Sequence, residues 1–459
     1  MSAYYILADF GSTWTKLTAV DCHKREIIGT AAAYTTIQTG IEHGLAEAQA
    51  KLEAMIPGLD AAEFRACSSA AGGLRMMVAG LVPELTGEAA RLAALGAGAK
   101  IIGIFSHELT DEDLDQIREA KPEIFLLTGG TDGGNKSCLI NNAEALREID
   151  PKFPIVIAGN RSAAREVSRI LDGLDFHICP NVMPRLGEIQ ITEVQDKIRE
   201  IFLAEIIQAK GLSKIQSMLD HILLPTPSAI LSAMELLAQG CETERGIGDL
   251  VAVDLGGATT DIYSLAEGAP ATMNTVLKGI PEPYAKRTVE GDLGMRYSLQ
   301  GIIDAAGLSE ISALSGLSPE AITELAEDLK AHTDKLPETP ELKALDEALA
   351  KAAIDIAVTR HAGQLEEVYT PVGKVYAQTG KDLRHVSRLV VTGGAIVRVP
   401  EAAEIAAAAF YDPREPNALK PRHCEILIDR KYILSAMGVL AQSEPELALS
   451  IMKKELVHE

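Results

Sequence analysis

Aromatic side chains are scarce in this 459-residue chain, at 4%, with a single tryptophan, Trp14. Apolar residues nonetheless make up 47%, which marks the chain as globular rather than disordered. Positive charge is short as well: 43 Lys and Arg stand against 65 Asp and Glu, a net charge of −22. That balance argues against nucleic acid and anionic membrane surfaces as main partners, since both select basic patches. The six cysteines, Cys22, Cys67, Cys138, Cys179, Cys241 and Cys424, form no C-x-x-C pair. No zinc or iron–sulfur site within one motif is therefore expected, and scattered thiols fit a reducing compartment. The ten histidines lack the H-E-x-x-H spacing of a metal site. No apolar run reaches the roughly 20 residues a membrane span needs. The first residues have no basic segment, and Asp9 interrupts their apolar stretch, so no signal peptide is expected. The expected location is the cytoplasm.

What the chain does have is a pair of polar turns between apolar runs. Asp9-Phe10-Gly11-Ser12-Thr13-Trp14-Thr15-Lys16 lies between Tyr4–Ala8 and Leu17–Val20. This reads as a hairpin carrying a carboxylate, a glycine, three hydroxyls and a lysine. Gly11 lets backbone N–H groups approach phosphate oxygens, and Ser12, Thr13 and Thr15 can donate further hydrogen bonds. Lys16 can offset phosphate charge, and Asp9 can hold the water shell of Mg²⁺. Alone, such a turn is most often only a turn. A second one follows at Asp254-Leu255-Gly256-Gly257-Ala258-Thr259-Thr260-Asp261, again between apolar runs. Asp9 aligns with Asp254, Gly11 with Gly256, Ser12 with Gly257 and Thr15 with Thr260. One related hairpin opens each half of the chain, which predicts a duplicated fold with a nucleotide between the halves.

Three strands are expected over residues 4–33 and a helix over 42–55, then a strand over 64–69. Alternating strands and helices over about 75–180 predict a parallel, Rossmann-like α/β unit inserted in the first half. Within it, Gly129–Asn135 follows a strand and opens a helix, the setting of an anion-binding loop or of a structural tight turn. A long amphipathic helix is expected over 187–210 and another after Pro227, with a boundary between halves at 240–248. The second half should start with strands at 250–254, 259–265 and 271–276. Glu290-Gly291-Asp292-Leu293-Gly294-Met295-Arg296 is expected to open a helix. There Glu290 and Asp292 either reach a bound Mg-nucleotide or simply favour the helix dipole. Helices at 318–332 and 340–360 follow. The strand Leu389–Thr392 ends at Gly393-Gly394, where absent side chains leave room for a flat nucleoside. Ser435, Ala436 and Gly438 would let the helix 432–440 pack closely on another.

In this order and spacing, the motifs resemble those of the actin/sugar kinase/Hsp70 (ASKHA) ATPase superfamily. Asp9–Lys16 matches its first phosphate motif, Asp254–Asp261 its second, and Thr392–Ala395 its adenosine motif. The resemblance covers the first 35 residues and most of 247–442. It implies a duplicated actin-like (ribonuclease H-like) ATPase fold, with halves at 1–246 and 247–459 and MgATP in the cleft between them. It makes Asp9 and Asp254 the residues that hold Mg²⁺ through water. Gly11, Ser12, Thr13, Thr15, Lys16, Gly256, Gly257, Ala258, Thr259, Thr260, Gly393 and Gly394 then hold the nucleotide, with Asp9, Asp254, Glu290 and Asp292 as the catalytic carboxylates. Within the superfamily, Ile6–Lys16, Cys67–Arg75, Leu127–Asn135 and Glu290–Arg296 are similar to the accessory protein family of glutamate mutase (MutL/GlmL, unrelated to mismatch repair). That likeness implies an ATP-dependent chaperone that reactivates an adenosylcobalamin-dependent carbon-skeleton mutase, with no nucleic acid and no membrane as partner. It leaves the oligomeric state open, a dimer included. The alternatives are a small-molecule kinase, with Asp132 as a candidate base but no clear base motif, and a nucleotide-dependent filament protein. The cysteine pattern gives no support to an iron–sulfur radical-enzyme activator of the same superfamily.

Overall fold

The computed structural model describes residues 3–11, 14–34, 41–58, 62–68, 74–209, 223–371, 373–397 and 399–459. The first half begins with three strands, β1 (Tyr4–Phe10), β2 (Trp14–Asp21) and β3 (Glu26–Tyr34), and a helix, Ile41–Met55. Strand β4 (Glu63–Ser68) follows. An inserted unit then carries β5 (Leu74–Gly80), β6 (Ala99–Ser106), β7 (Ile124–Leu127), β8 (Ile155–Ile157) and β9 (Phe176–Ile178). The chain returns through the helix Thr192–Ala209 to β10 (Leu223–Pro225). The second half contributes β11 (Leu250–Leu255), β12 (Thr260–Leu265), β13 (Thr275–Leu277), β14 (Ala285–Glu290), β15 (Gln364–Thr370), β16 (Gly373–Thr379), β17 (Arg388–Thr392), β18 (Glu425–Ile428) and β19 (Val457–His458).

Two of the sheets repeat one plan. The first has the order β10-β4-β1-β2-β3, the second β14-β12-β11-β17-β18-β19. In each, three antiparallel strands run as a meander and two more lie parallel to the first of them. This is a duplicated actin-like (ribonuclease H-like) fold. The repeat extends to the turns: Gly11 N donates to Trp14 O at 3.1 Å, and Gly256 N to Thr259 O at 2.9 Å. A Cβ on Gly11 would lie 2.7 Å from Trp14 O, and one on Gly256 2.8 Å from Thr259 O. Each turn therefore needs its glycine on steric grounds alone.

The third strand of the second sheet is β14 at Ala285–Glu290, not the expected 271–276. Residues 275–277 pair instead with β16 in a separate three-stranded sheet. The helix expected at Glu290–Arg296 starts later, at Leu299. The main chain before it is drawn onto the second hairpin: Met295 N donates to Gly256 O, and Arg296 N and Tyr297 N to Gly257 O. A Cβ on Gly294 would sit 2.3 Å from Ala258 C, so glycine allows this contact.

The inserted sheet is wholly parallel, in the order β6-β5-β7-β8-β9. In order of appearance this is 2-1-3-4-5, a doubly wound sheet with its switch point between β5 and β7. Its first strand, β5, is not marked by the sequence pattern. Met76, Met77, Val78 and Ala79 are all buried, and a strand covered on both faces shows no alternation to detect. The helix Asp111–Ala120 opens on a capping box formed by Thr110 and Asp113.

Between the two large sheets lies a shared apolar core. It joins Tyr5, Leu7 and Val20 of the first sheet to Leu250, Ala252 and Val390 of the second through the helices Thr226–Gln239, Leu434–Ala441 and Pro445–Glu455. The close packing expected of Gly438 is found there, since a Cβ on it would lie 1.7 Å from Ala229 O.

Candidate functional site

Strand register brings the first carboxylate to a junction. On β1, Asp9 pairs with Lys16 of β2 on one side and Cys67 of β4 on the other. It is buried and accepts from Thr226 Oγ1 at 2.8 Å, Ser435 Oγ at 3.1 Å and Cys67 Sγ at 3.6 Å. Thr226 and Ser435 belong to the two helices that cross at Gly438, so Asp9 keys that crossing to the first hairpin. Ser12 and Thr13 lie outside the described residues; Thr15 is fully buried.

The second hairpin differs in one respect that matters. Opposite Asp254 stands Asp261, where Lys16 stands opposite Asp9. Burial, followed by the charge of Asp261, pushes the Asp254 carboxyl up to about 7, with Lys16 acting against both. Asp254 is partly exposed as a residue, yet its Oδ1 is shut off from solvent with no hydrogen-bond partner among the described residues. An orphaned carboxylate oxygen is costly unless a donor or cation meets it. The like charge of Asp261 is answered by the buried Arg287, whose Nε donates to Asp261 Oδ1 at 2.8 Å. Arg287 Nη1 also reaches Leu95 O at 2.9 Å and Ala99 O at 3.3 Å, in the inserted unit. Thr259 Oγ1 donates to the other oxygen of Asp261 at 3.0 Å, and Thr260 Oγ1 is engaged by Leu293 O at 2.6 Å.

A third carboxylate, Asp429, joins this group. It follows β18 and is 1% exposed. Thr392 Oγ1 donates to it at 3.0 Å, and the N–H groups of Ile433 and Leu434 at the start of a helix donate as well. Burial still raises its affinity for a proton. Asp9, Asp254 and Asp429 all act on Lys16, whose ammonium burial disfavours. Its Nζ lies 3.0 Å from the ring centroid of Tyr432. Position at the carboxyl end of a parallel strand is the one signal in the sequence that could have singled out Asp429.

The glycines separate into two groups. A Cβ on Gly393, at φ +113, would come within 2.3 Å of Leu255 O, so the fold itself requires glycine there. Gly394 has nothing within 4 Å of its missing side chain, and Gly257 meets only Arg296 and Tyr297 at 4.0 Å. The fold does not demand glycine at 257 or 394; a ligand lying against the backbone would. Ala258 sits between, its carbonyl held by Ser298 Oγ at 3.0 Å.

Glu290 and Asp292 are drawn elsewhere. Both pair with Arg360, at 2.7 and 3.0 Å, at the end of the helix Pro340–His361. Burial raises the Glu290 carboxyl. No hydrogen bond or ion pair among the described residues joins this pair to Asp9, Asp254 or Asp429. In the insert, the loop Gly129–Asn135 is held by the buried Asn160 and Asn181. Asp132 accepts there from Asn181 Nδ2 at 3.0 Å and from Arg161 N at 3.1 Å. Those bonds give Asp132 a structural part in the loop. Among the described residues, no helix is long and apolar enough to cross a membrane, and no cluster of three or more His, Cys, Asp or Glu could hold a metal ion by itself.

Residues 5–456 match a family described as "MutL protein". The chain is 46% identical over 457 residues to "Protein MutL" of Clostridium tetanomorphum, covering 99% of each. Among solved structures it is similar to gluconate kinase from Lactobacillus acidophilus, at 11% identity and a TM-score of 0.36, covering 100% of this chain and 93% of that one. It is similar also to xylulose kinase from Bifidobacterium adolescentis, at 13% and 0.32, covering 100% and 96%.

Proposed function

Because this chain belongs to the MutL protein family, we propose that it is the ATP-dependent reactivating chaperone of an adenosylcobalamin-dependent carbon-skeleton mutase of the glutamate mutase type. The observation that carries the ATP-binding part is the duplicated hairpin pair, with Asp254 Oδ1 unpartnered among the described residues. The mutase partner rests on the family.

In this reading Gly11, Thr15 and Lys16 meet the phosphate chain from one half and Gly256, Gly257, Ala258 and Thr259 from the other. Gly393 and Gly394 face the nucleoside. Mg²⁺, when bound with ATP, supplies charge neutralisation at the phosphate oxygens, and Asp9 and Asp254 hold its water shell. Asp254, at a proton affinity near neutrality, can hold or release a proton at Oδ1. Lys16 offsets charge that builds on transferred oxygens. Two hairpins that share one phosphate chain hold the halves 1–246 and 247–459 closed, and hydrolysis weakens that hold. A few kcal/mol of differential affinity suffices to shift such populations. The motion would open the partner so that damaged cobalamin leaves and intact adenosylcobalamin enters, with the inserted unit as the docking face.

Reactivation is the test. A cobalamin-inactivated mutase is mixed with free adenosylcobalamin and MgATP, with and without this protein or its Asp254→Ala variant. Recovery that needs ATP and Asp254 supports the proposal. No recovery, with ATP turnover that rises only with a small metabolite, replaces it with a small-molecule kinase.

A further inference from the structure

We propose that Tyr432 is a positioning residue, which fixes the Lys16 ammonium among Asp9, Asp254 and Asp429 for use on the phosphate groups of a bound nucleoside triphosphate. This rests on the nucleotide reading above and adds to it the residue that aims the Lys16 ammonium.

Lys16 leaves β2 directly opposite Asp9. A flexible ammonium beside three carboxylates would ordinarily collapse onto one of them. Yet no described carboxylate pairs with Lys16 within the 4.0 Å limit of an ion pair. The ammonium sits instead on the Tyr432 ring face, 3.0 Å from its centroid, where the ring quadrupole attracts a cation. Among the described residues that placement leaves N–H donors of the ammonium to turn toward a ligand, and Asp254 Oδ1 has no hydrogen-bond partner there either. A salt bridge would use up both.

The backbone at Tyr432 adds a second observation. Its φ is +54, in the left-handed region that a bulky side chain occupies only under constraint. Its N–H donates to Asp429 O at 3.1 Å, closing the turn that leads from β18 into the helix Leu434–Ala441. Glycine would make that turn without strain. The ring is therefore retained at a backbone cost, and the group it faces is Lys16. A plain packing role is the alternative, since Tyr432 also borders the apolar core of the second half.

A double-mutant cycle separates the two. MgATP binding to the full chain is measured by calorimetry for wild type, Lys16→Met, Tyr432→Phe, Tyr432→Gly and the Lys16→Met/Tyr432→Gly pair. Glycine suits the backbone at this position, and Tyr432→Leu, which keeps bulk without a π face, serves if the cavity unfolds the protein. Lys16→Met and Tyr432→Gly are each expected to weaken binding roughly tenfold, with Tyr432→Phe recovering to within about threefold of wild type. The pair is expected to bind no more weakly than Lys16→Met alone, because the ring acts only through the cation. A pair whose loss is the product of the two single losses overturns the proposal, as does a Phe variant as weak as the Gly variant. Wild type that binds no MgATP overturns the nucleotide reading and takes this one with it, a result distinct from either.

Discussion

Asp254 is a residue whose electrostatics can be tested without any ligand. Its carboxyl is pushed up to about 7 in the fold, against about 3.9 in an unfolded chain. The folded protein therefore holds a proton that the unfolded chain gives up between those values. The associated stability is fully present below pH 4 and is lost as pH rises through 7. Asn cannot ionise, so Asp254→Asn should melt progressively higher than wild type from pH 4 to pH 8. The gap should reach a few kcal/mol at most, at about 1.4 kcal/mol for each tenfold change in proton affinity. Melting curves across that range check this, and a gap that does not change with pH would sink it. Trp14 offers a second handle. It is the sole tryptophan, 47% exposed, packed edge-on to Tyr34 at 6.0 Å and next to Thr13 in the first hairpin. MgATP should change its emission saturably, and calorimetric binding with an unchanged spectrum would mean that the ligand does not meet this hairpin. At this scale the sequence was informative where a residue sits in a short motif, as Asp9 and Asp254 do. Asp429, Arg287 and Tyr432 reach the site from strands and turns far along the chain, and only Asp429 carries a signal, its place at the end of a parallel strand.

Among elements, the helix crossing and the buried arginine carry the sharpest expectations. Gly438→Ala would drive a methyl group into Ala229 O, a backbone atom that cannot turn aside. A loss of about 1–3 kcal/mol is expected from overpacking, read as a lower denaturation midpoint. A neutral result would show that the two helices can slide apart freely. Arg287→Met would leave Asp261 charged, buried and unpaired, at a cost of about 3–5 kcal/mol. The Arg287→Met/Asp261→Asn pair should regain much of that. If the double variant is as unstable as the single, the bonds from Arg287 to Leu95 and Ala99 outweigh the ion pair. The meander strands of the first sheet, β11, β12 and most helices were legible because caps, glycines and alternation mark their ends. β5 was not, because burial on both faces removes alternation. β14 was obscured because β13, a short strand of another sheet, comes first along the chain.

For the whole molecule, the repeated strand order was foreshadowed by the two hairpins, since a turn that needs glycine at the same place twice is an economical sign of a repeated sheet. The insert was legible as alternating strands and helices, but its attachment was not. Its helix Glu88–Gly96 packs into the same core as the first sheet, and Arg287 ties that helix to β12. A path of hydrogen bonds thus runs from Thr259 through Asp261 and Arg287 to the insert. Hydrogen exchange in 88–99 should slow when MgATP binds wild type and respond less in Arg287→Met. Equal slowing in both would mean that the hairpin and the insert move independently.

The two sheets share an aspartate at the same place but face it with opposite charges, Lys16 in one and Asp261 in the other. The two sheets are alike in shape and unlike in sign. Two copies of the N-terminal unit would set two lysines across the cleft, and two copies of the C-terminal unit would set two surplus aspartates. Neither self-pairing reproduces the native sum, whereas a circular permutation of the chain would. The units can in this sense be reordered, but neither can substitute for the other.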